Sequence, residues 1–434
     1  MNDAAAAACL RLVQQRQAEK RLPSISATVF RGADTLWYGA AGLANATEPP
    51  TADTQYRIGS ITKTFTAVLV MQLRDAGLLD LDDRIGVHLA DATPGDPTIR
   101  RLLCHLSGLQ REPVGEVWES LKAPSRNDLL ANYAAADFVL PPNRRWHYSN
   151  LAYAVLGELV ARLTKMPWEE ALQARLLDPL GLARTTLTPR APYAQGYLVD
   201  PYADRAAEEP VFVLNGVAAA AELWSTTGDL AKWGAYLLGT DPMVEEMTHL
   251  HAMADQETWS LAWGLGLMLW RRPDRILVGH TGGMPGHIAA LVVSRKDGVG
   301  AAAFSNNSSG FVSGPFAGDL VDTWLEHDPS PVTPWAPGPA VPPEYEGVLG
   351  RWWTEGSELV LSWRDGGLVA LPDGAPPGTP PATFVPEGVD AFRATAGREQ
   401  GELLRIVRDD NGNVVKLYYA TYPLTRNPVV FGGS

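Results

Sequence analysis

The stretch YRIGSITKTFTA, residues 56–67, is the most informative part of this sequence. It places Ser60 and Lys63 three positions apart at a helix start, so the two side chains share one helix face, about 5–6 Å apart at Cβ. A lysine that near, partly withdrawn from water, can lose its proton and act as a base toward the serine hydroxyl. The structural alternative is a helix-capping serine followed one turn later by a solvated lysine.

A second motif, Tyr148-Ser149-Asn150, precedes the helical pattern LAYAVLGELVARL. A tyrosine near a lysine ammonium loses its proton more easily, so it can act as a general base and then as an acid toward a leaving group. The asparagine amide can bind a substrate carbonyl or hold the lysine. The alternative is a tyrosine packed at a helix entry with a capping serine or asparagine.

A third motif, His280-Thr281-Gly282-Gly283, lies on a strand expected to begin near residue 276. Its glycines would allow a ligand to approach the backbone closely. The N–H groups of Gly283 and Ser60 could then form an oxyanion hole. The alternative is a glycine-rich turn in which His280 is a satisfied polar residue.

The pattern around these motifs predicts one α+β domain over residues 1–327. Strands near both of its ends, with helices between them, indicate an antiparallel sheet flanked by helices, and the central helices form a second, all-helical lobe. The predicted strands are 24–32, 35–42, 287–298 and 299–307, and the predicted helices are 61–76, 151–164 and 227–238.

The remainder of the chain has a different character. Residues 328–343, DPSPVTPWAPGPAVPP, contain seven prolines and predict an extended linker, because proline fixes φ and lacks an N–H donor. Residues 344–434 contain short β-branched and aromatic runs separated by turn signals such as Asn411-Gly412. These runs, at 358–363, 368–371, 402–407 and 414–422, predict an antiparallel meander closed into a small barrel.

The composition argues against several classes of function. The chain of 434 residues has a net charge of −13, which provides no positive field to attract nucleic acid or an anionic membrane. No apolar run approaches the ~20 residues of a membrane span, and no basic segment precedes an apolar one at the N-terminus, so a cytoplasmic protein is expected. Cys9 and Cys104 are expected to be free thiols. His249 and His251 lack further ligands at metal spacing, and no phosphate loop occurs, so neither a metal nor a cofactor is expected.

Taken in order, the motifs resemble those of the serine β-lactamase and penicillin-binding-protein-like family. The likeness is to its class C β-lactamase and D,D-peptidase branch, with esterase and D-aminopeptidase relatives. It spans about residues 20–326 and rests on YRIGSITKTFTA (56–67), LLCHLSGL (102–109), HYSNLAYAVLGELV (147–160), LWSTTGDLAKW (223–233) and GHTGGMPGH (279–287). Many relatives carry a C-terminal barrel described as lipocalin-like, which residues 344–434 resemble.

The resemblance implies a role for each motif residue. Ser60 would be the acylated nucleophile, and Lys63 and Tyr148 the proton-transfer pair. Asn150 would bind the substrate amide or the lysine. His280 stands where the family has lysine or histidine, Thr281 and Gly282 follow it, and Gly283 would supply the second oxyanion N–H.

Two departures from the family pattern bear on the substrate. With His280 in place of lysine, the site has less permanent positive charge to bind a substrate carboxylate, which argues against β-lactam turnover. In AAAEL (219–223), Glu222 stands where relatives have a glycine-rich entry. Its carboxylate would either enter the pocket, where it could steer an amine, or lie solvated on the surface.

These residues predict a serine hydrolase or acyltransferase for ester, thioester or amide bonds of small or peptide-like substrates, particularly those containing D-residues. One alternative is a penicillin-binding-protein-type thioesterase that macrocyclises nonribosomal peptides, with a carrier-protein-linked peptide as its partner. In that case Arg426 could pair with a substrate carboxylate, unless it is a solvated terminal arginine. A second alternative is a non-catalytic penicillin-binding-like sensor.

Overall fold

A computed structural model describes residues 2–90, 97–329, 332, 334–354 and 356–430. The chain divides into two compact units, Met1–Pro331 and Val332–Ser434. Within the proline-rich segment 328–343, residues 330, 331 and 333 lie outside the described residues. The described remainder has no regular structure until a 3₁₀ helix begins at Pro343.

The first unit is built on an eight-stranded antiparallel sheet that joins the two ends of the unit. Its central strands are buried on both faces: β12 is almost entirely apolar, and the small polar side chains of β1, such as Ser26 and Thr28, are buried as well. Small side chains meet across them, with Ala303 opposite both Ala27 and Ala290. In spatial order the strands are β2 (Asp34–Gly42), β1 (Ser24–Arg31), β12 (Val299–Ser305), β11 (His287–Ser294), β10 (Ile276–Met284), β9 (Met268–Arg271), β8 (Leu261–Trp263) and β7 (Ala252–Met253).

Two short strand pairs are the other sheets among the described residues of this unit. Strand β3 (Tyr56–Arg57) pairs with β6 (Trp224–Ser225), and β4 (Tyr197–Val199) pairs with β5 (Ala206–Glu208). The first pair holds the segment that leads into the Ser60 helix.

Helices cover both faces of the large sheet. Helices α1 and α12 share one apolar cluster with strands β1, β11 and β12, and α10 packs on the same strands within the other cluster. The remaining helices form the helical lobe around α2 and α7. The helices are α1 (Asp3–Glu19), α2 (Thr62–Asp75), α3 (Ile85–His88), α4 (Ile99–Leu103), α5 (Val117–Ser120), α6 (Arg126–Tyr133), α7 (Asn150–Thr164), α8 (Trp168–Leu172), α9 (Ala218–Ala221), α10 (Thr227–Leu238), α11 (Pro242–Met247) and α12 (Ser313–His327).

The second unit is an eight-stranded antiparallel meander that is nearly closed into a barrel. A bridge between Trp353 and Thr425 connects its first strand to the chain just after its last. Apolar side chains such as Trp352, Leu361 and Leu404 fill its interior. The strands are β13 (Gly350–Thr354), β14 (Ser357–Arg364), β15 (Gly367–Pro372), β16 (Ala382–Pro386), β17 (Ala391–Ala396), β18 (Leu403–Arg408), β19 (Val414–Tyr419) and β20 (Tyr422–Leu424).

The predicted α+β architecture with a C-terminal barrel is confirmed, although the sequence pattern missed β13, β16 and β17. None of the helices in the described ranges is long and apolar enough to cross a bilayer.

Candidate active site

Ser60 lies in a 3₁₀ turn, Gly59–Ile61, that runs directly into α2. Gly59 has a φ of +50°, and a Cβ there would lie 2.7 Å from the Gly283 nitrogen. A Cβ on Gly282 would lie 1.8 Å from the Ile58 carbonyl oxygen. Only glycine permits this approach, and it packs the turn that carries Ser60 directly against the backbone of β10.

Lys63 is fully buried beneath Ser60. Its Nζ lies 3.0 Å from Ser60 Oγ, 2.7 Å from Asn150 Oδ1 and 2.8 Å from the Ala220 carbonyl oxygen. These partners come from the 3₁₀ turn that precedes α2, from the first residue of α7 and from α9. The tertiary fold therefore brings together the first two motifs, as the sequence predicts.

The electrostatics of Lys63 favour its neutral amine. Burial lowers the pKa of Lys63 well below its ordinary value, Glu112 opposes this shift, and Arg111 adds to it. A neutral amine has two N–H donors and one lone pair. Because Asn150 Oδ1 and the Ala220 carbonyl can only accept, they take both donors and leave the lone pair for the Ser60 hydroxyl.

Tyr148 packs between an imidazole ring, the Lys63 amine and the Arg111 guanidinium at the same site. Its ring centroid lies 4.3 Å from that of His105, 4.9 Å from Lys63 Nζ and 5.0 Å from Arg111 Cζ. Burial raises the pKa of Tyr148, and a hydrogen bond with Ser60 lowers it by less. The sequence argument, which predicted easier proton loss from Tyr148, is therefore wrong for the resting site, because the ring is withdrawn from water and keeps its proton.

His280 on β10 is buried and neutral. Its Nδ1 donates to the Thr281 carbonyl oxygen at 2.5 Å, and burial lowers the pKa of the imidazole to about 3. With the proton on Nδ1, Nε2 is an acceptor, and it has no hydrogen-bond partner among the described residues. Thus the third motif brings no positive charge to the site.

A cavity of about 660 Å³ opens over Ser60. Its polar lining includes the residues that the sequence singled out, Ser60, Tyr148, Asn150, and His280 through Gly283. Its walls are mainly apolar and aromatic: Pro113, Val117, Trp118, Leu214 and Val217, together with Trp146, Leu261, Trp263, Met268 and Met284.

Sequence analysis did not identify three contributors to the site: Arg111, Glu112 and the Ala220 carbonyl. Glu112 Oε1 accepts a hydrogen bond from Asn150 Nδ2 at 2.7 Å, and both charged side chains line the cavity. They belong to an irregular loop, so no periodicity marks them. Their one signal is that they follow the LLCHLSGL stretch directly.

Two predicted substrate-binding residues have other contacts. Glu222 is buried, with 3% of its side chain exposed, and its carboxylate faces Arg57, so it neither enters the pocket nor lies solvated on the surface. The reason is that Arg57 and a backbone N–H bind it inside the protein. Arg426 donates to backbone carbonyls of its own barrel and stacks 3.7 Å from the Trp352 ring centroid. Those contacts hold the guanidinium on its own barrel, while the residue as a whole is exposed to solvent.

Comparison with protein families gives two matches along the chain. Residues 10–326 match a family described as Beta-lactamase, and residues 341–426 match a family described as Domain of unknown function (DUF7586).

Curated relatives match part of the chain. Penicillin-binding protein 4 of Amycolatopsis lactamdurans is 31% identical over 335 residues, which cover 70% of this chain and 84% of that protein. Esterase EstB of Burkholderia gladioli is 35% identical over 38% of this chain and 47% of that protein. Beta-lactamase-like protein 2 of Dictyostelium discoideum is 26% identical over 55% of this chain, a match that spans only 47% of the relative's own length.

Solved structures show the same similarity. A D-stereospecific amidohydrolase from Streptomyces sp. superposes with a TM-score of 0.61 at 27% identity, covering 74% of this chain and 97% of that chain. The D-amino acid amidase from Ochrobactrum anthropi SV3 has a TM-score of 0.64 at 25% identity, covering 75% and 98%. SurE, with a TM-score of 0.61 at 25% identity, covers 98% of this chain and 99% of its own.

Proposed function

The chain belongs to the Beta-lactamase family of serine hydrolases, and from that premise we propose that Ser60 is its acylated nucleophile. The substrates are peptide-like amides and esters, particularly those with a D-residue on the acyl side. The observation that carries the proposal is the geometry of Lys63, whose two carbonyl acceptors leave its lone pair for Ser60.

Acylation begins when Lys63 takes the Ser60 proton and Oγ forms a bond to the substrate carbonyl carbon. The carbonyl π electrons move to oxygen, and the backbone N–H groups of Ser60 and Gly283 stabilise the resulting oxyanion. The close packing of the Ser60 turn on β10 supports this assignment, because it brings the two backbone segments together.

Collapse of the intermediate breaks the bond to the leaving group. Tyr148, which holds its proton in the resting site, donates that proton to the departing nitrogen or oxygen. The proton held by Lys63 then restores Tyr148. Water attacks the acyl-enzyme by the reverse sequence, releases the acid and returns the proton to Ser60.

The charges in the cavity support a substrate class. Neutral His280 offers no cation to a carboxylate, and the Arg111 guanidinium in the cavity lining is already paired with Glu112 at 3.5 Å, which argues against β-lactams and carboxylate-terminated peptides as preferred substrates. The Glu112 carboxylate lines the same cavity and supports substrates with an amino group near the scissile carbonyl. This class agrees with the amide-cleaving neighbours, the D-stereospecific amidohydrolase and the D-amino acid amidase.

The test compares four substrates under identical conditions: D-phenylalanine amide, L-phenylalanine amide, a p-nitrophenyl ester and a chromogenic cephalosporin. We expect turnover of the ester and the D-amide, with kcat/KM for the cephalosporin at least about 10²-fold lower, equivalent to roughly 2.7 kcal/mol. Preferred hydrolysis of the cephalosporin would contradict the proposed substrate class. Turnover of none of them, with no labelling of Ser60 by a fluorophosphonate, would favour the sensor alternative.

A second candidate is macrocyclisation of a carrier-linked peptidyl thioester. The observation that favours it is the apolar cavity wall, which would keep water from an acyl-enzyme while a peptide amine attacks. Its test supplies a peptidyl thioester with a C-terminal D-residue and a free N-terminal amine. Mostly macrocycle in the mass spectrum would establish a cyclase, and mostly linear acid would establish a hydrolase.

A further inference from the structure

A buried ion pair lies beside the catalytic cavity, and the proposed chemistry does not use it. Arg57 Nη2 lies 3.3 Å from Glu222 Oε1, and the two side chains are 1% and 3% exposed. Removing two charges from water is costly unless further hydrogen bonds compensate. For a pair buried here, the question is therefore which segments of the chain it connects.

The pair holds residues 212–222, which we call the pocket wall. Arg57 Nη2 also donates to the Phe212 carbonyl at 2.9 Å, and Glu222 Oε2 accepts from the Leu214 N–H at 2.5 Å. Within the pocket wall, Leu214, Val217, Ala220 and Ala221 line the cavity. The pair thus connects the first residues of the pocket wall, Phe212 and Leu214, to its last residue, Glu222.

The same pair connects the pocket wall to the nucleophile. Arg57 lies on β3, three residues before Ser60, and β3 pairs with β6 immediately after Glu222. Ala220, two residues before Glu222, provides the carbonyl that accepts from Lys63 at 2.8 Å. Any shift of the pocket wall relative to β3 changes the distance between Lys63 and one of its two carbonyl acceptors.

We infer that Arg57 and Glu222 are positioning residues, whose buried pair holds the Ala220 carbonyl on Lys63 and so aligns Lys63 with Ser60. This inference rests on the proposed function, because it concerns the base in that reaction. Neither side chain touches the substrate, and the pair acts through the backbone of the pocket wall.

Because the pair requires an ionised Glu222, the rate of Ser60 labelling should depend on the protonation of Glu222. Burial raises the pKa of Glu222 to about 7, while Arg57 and the Leu214 N–H partly oppose the shift. Arg57 is the charged group that faces it, and His287, which interacts with Arg57, is neutral because burial lowers its pKa to about 3. As the pH falls below about 7, Glu222 becomes protonated and its attraction for Arg57 is lost.

The experiment measures the second-order rate of Ser60 labelling by a fluorophosphonate between pH 6 and pH 8.5, using the full chain. The variants are Glu222→Gln, Arg57→Lys and a matched control, Glu158→Gln. The control breaks another carboxylate–arginine pair, in which the buried Glu158 binds Arg126 at 2.8 Å but the arginine is 45% exposed. Thermal unfolding shows which variants are folded, and Arg57→Lys carries the test if Glu222→Gln does not fold.

We expect Glu222→Gln and Arg57→Lys to be labelled about tenfold more slowly than the wild type at pH 8. The wild-type to Glu222→Gln ratio should approach one at pH 6, because the wild-type carboxylate is then protonated. Glu158→Gln should be labelled at the wild-type rate at every pH.

A wild-type rate in both pair variants, or equal slowing in Glu158→Gln, would overturn the inference. A ratio that is the same at pH 6 and pH 8 would overturn it as well, because the effect would then not depend on the ionised pair. Failure of the wild type itself to be labelled would instead contradict the proposed function.

Discussion

Asn150 connects Lys63 to Glu112: its Oδ1 accepts from Lys63 Nζ at 2.7 Å, and its Nδ2 donates to Glu112 Oε1 at 2.7 Å. This bond pattern fixes the orientation of the Asn150 amide, because an ammonium or amine N–H requires the oxygen and a carboxylate requires the nitrogen. The orientation in turn directs the Lys63 lone pair toward Ser60. The Asn150 amide thus connects Lys63, the proposed base, to Glu112 in the cavity lining.

The charges next to Lys63 should shift the pH–rate profile in opposite directions. Glu112 raises the pKa of Lys63, and Arg111 lowers it. The base must be neutral, so acylation rises as the pH rises through the Lys63 pKa. Glu112→Gln should move this rising limb to lower pH, and Arg111→Gln should move it to higher pH. Glu119→Gln, which removes an exposed carboxylate from α5, serves as the control. Because solvent screens that carboxylate, its loss should leave the rising limb of the pH–rate profile unchanged.

Loss of the Tyr148 hydroxyl should slow cleavage of poor leaving groups most. Tyr148→Phe removes the proton donor, so hydrolysis of an amide should fall by about 10²-fold or more. A p-nitrophenyl ester should lose less, since its leaving group departs without a proton. Tyr153→Phe is the matched control, because its buried hydroxyl donates to the Leu103 carbonyl at 2.8 Å. Equal losses on both substrates would argue that Tyr148 has only a packing role.

Replacing the neutral histidine on β10 should change substrate preference. His280→Lys introduces a group that can carry the charge His280 lacks, since burial holds the pKa of His280 at about 3. The kcat/KM ratio of a carboxylate-bearing substrate to a simple ester should rise in this variant. His280→Gln, which adds no charge, is the control. A ratio that rises equally in both variants would show that charge at residue 280 does not set the preference.

Arg426 should stabilise the barrel. Its guanidinium donates to the backbone carbonyls of Gly347, Leu349 and Arg351 and stacks on Trp352. Arg426→Ala should lower the free energy of unfolding of the barrel by about 2 kcal/mol, the sum expected for these contacts. Denaturant unfolding followed by tryptophan fluorescence measures this. Arg426→Lys should recover only part of the loss, because an ammonium cannot reach several carbonyls in the same way. No change in Arg426→Ala would show that these contacts contribute nothing.

The parts of the site that sequence reasoning predicted are those that local geometry determines. Ser60 and Lys63 are neighbours because a helix places residues three apart on one face. The Asn150 contact follows from the start of the next long helix. The four tail strands with strong β-branched patterns were predicted for the same reason.

The features that sequence reasoning missed depend on contacts between segments that are distant in the chain. Glu222 is 165 residues from Arg57, and no periodicity signals their pairing. The neutrality of His280 and the retained proton of Tyr148 follow from burial, which the tertiary structure alone determines. Strand β17, AFRATA, is half alanine, and strand β16, ATFVP, is only five residues long and ends in proline, so neither shows a long β-branched run.

If Ser60 is the nucleophile, its oxygen becomes covalently bonded to the acyl group of the substrate. The most direct measurement is the intact mass of the protein, quenched in acid within seconds of mixing with an activated D-amino acyl ester, followed by peptide mapping. We expect a mass increase equal to one acyl group on a peptide containing Ser60, and neither an adduct nor turnover in Ser60→Ala. An adduct on another residue, or full activity in a folded Ser60→Ala protein, would contradict it.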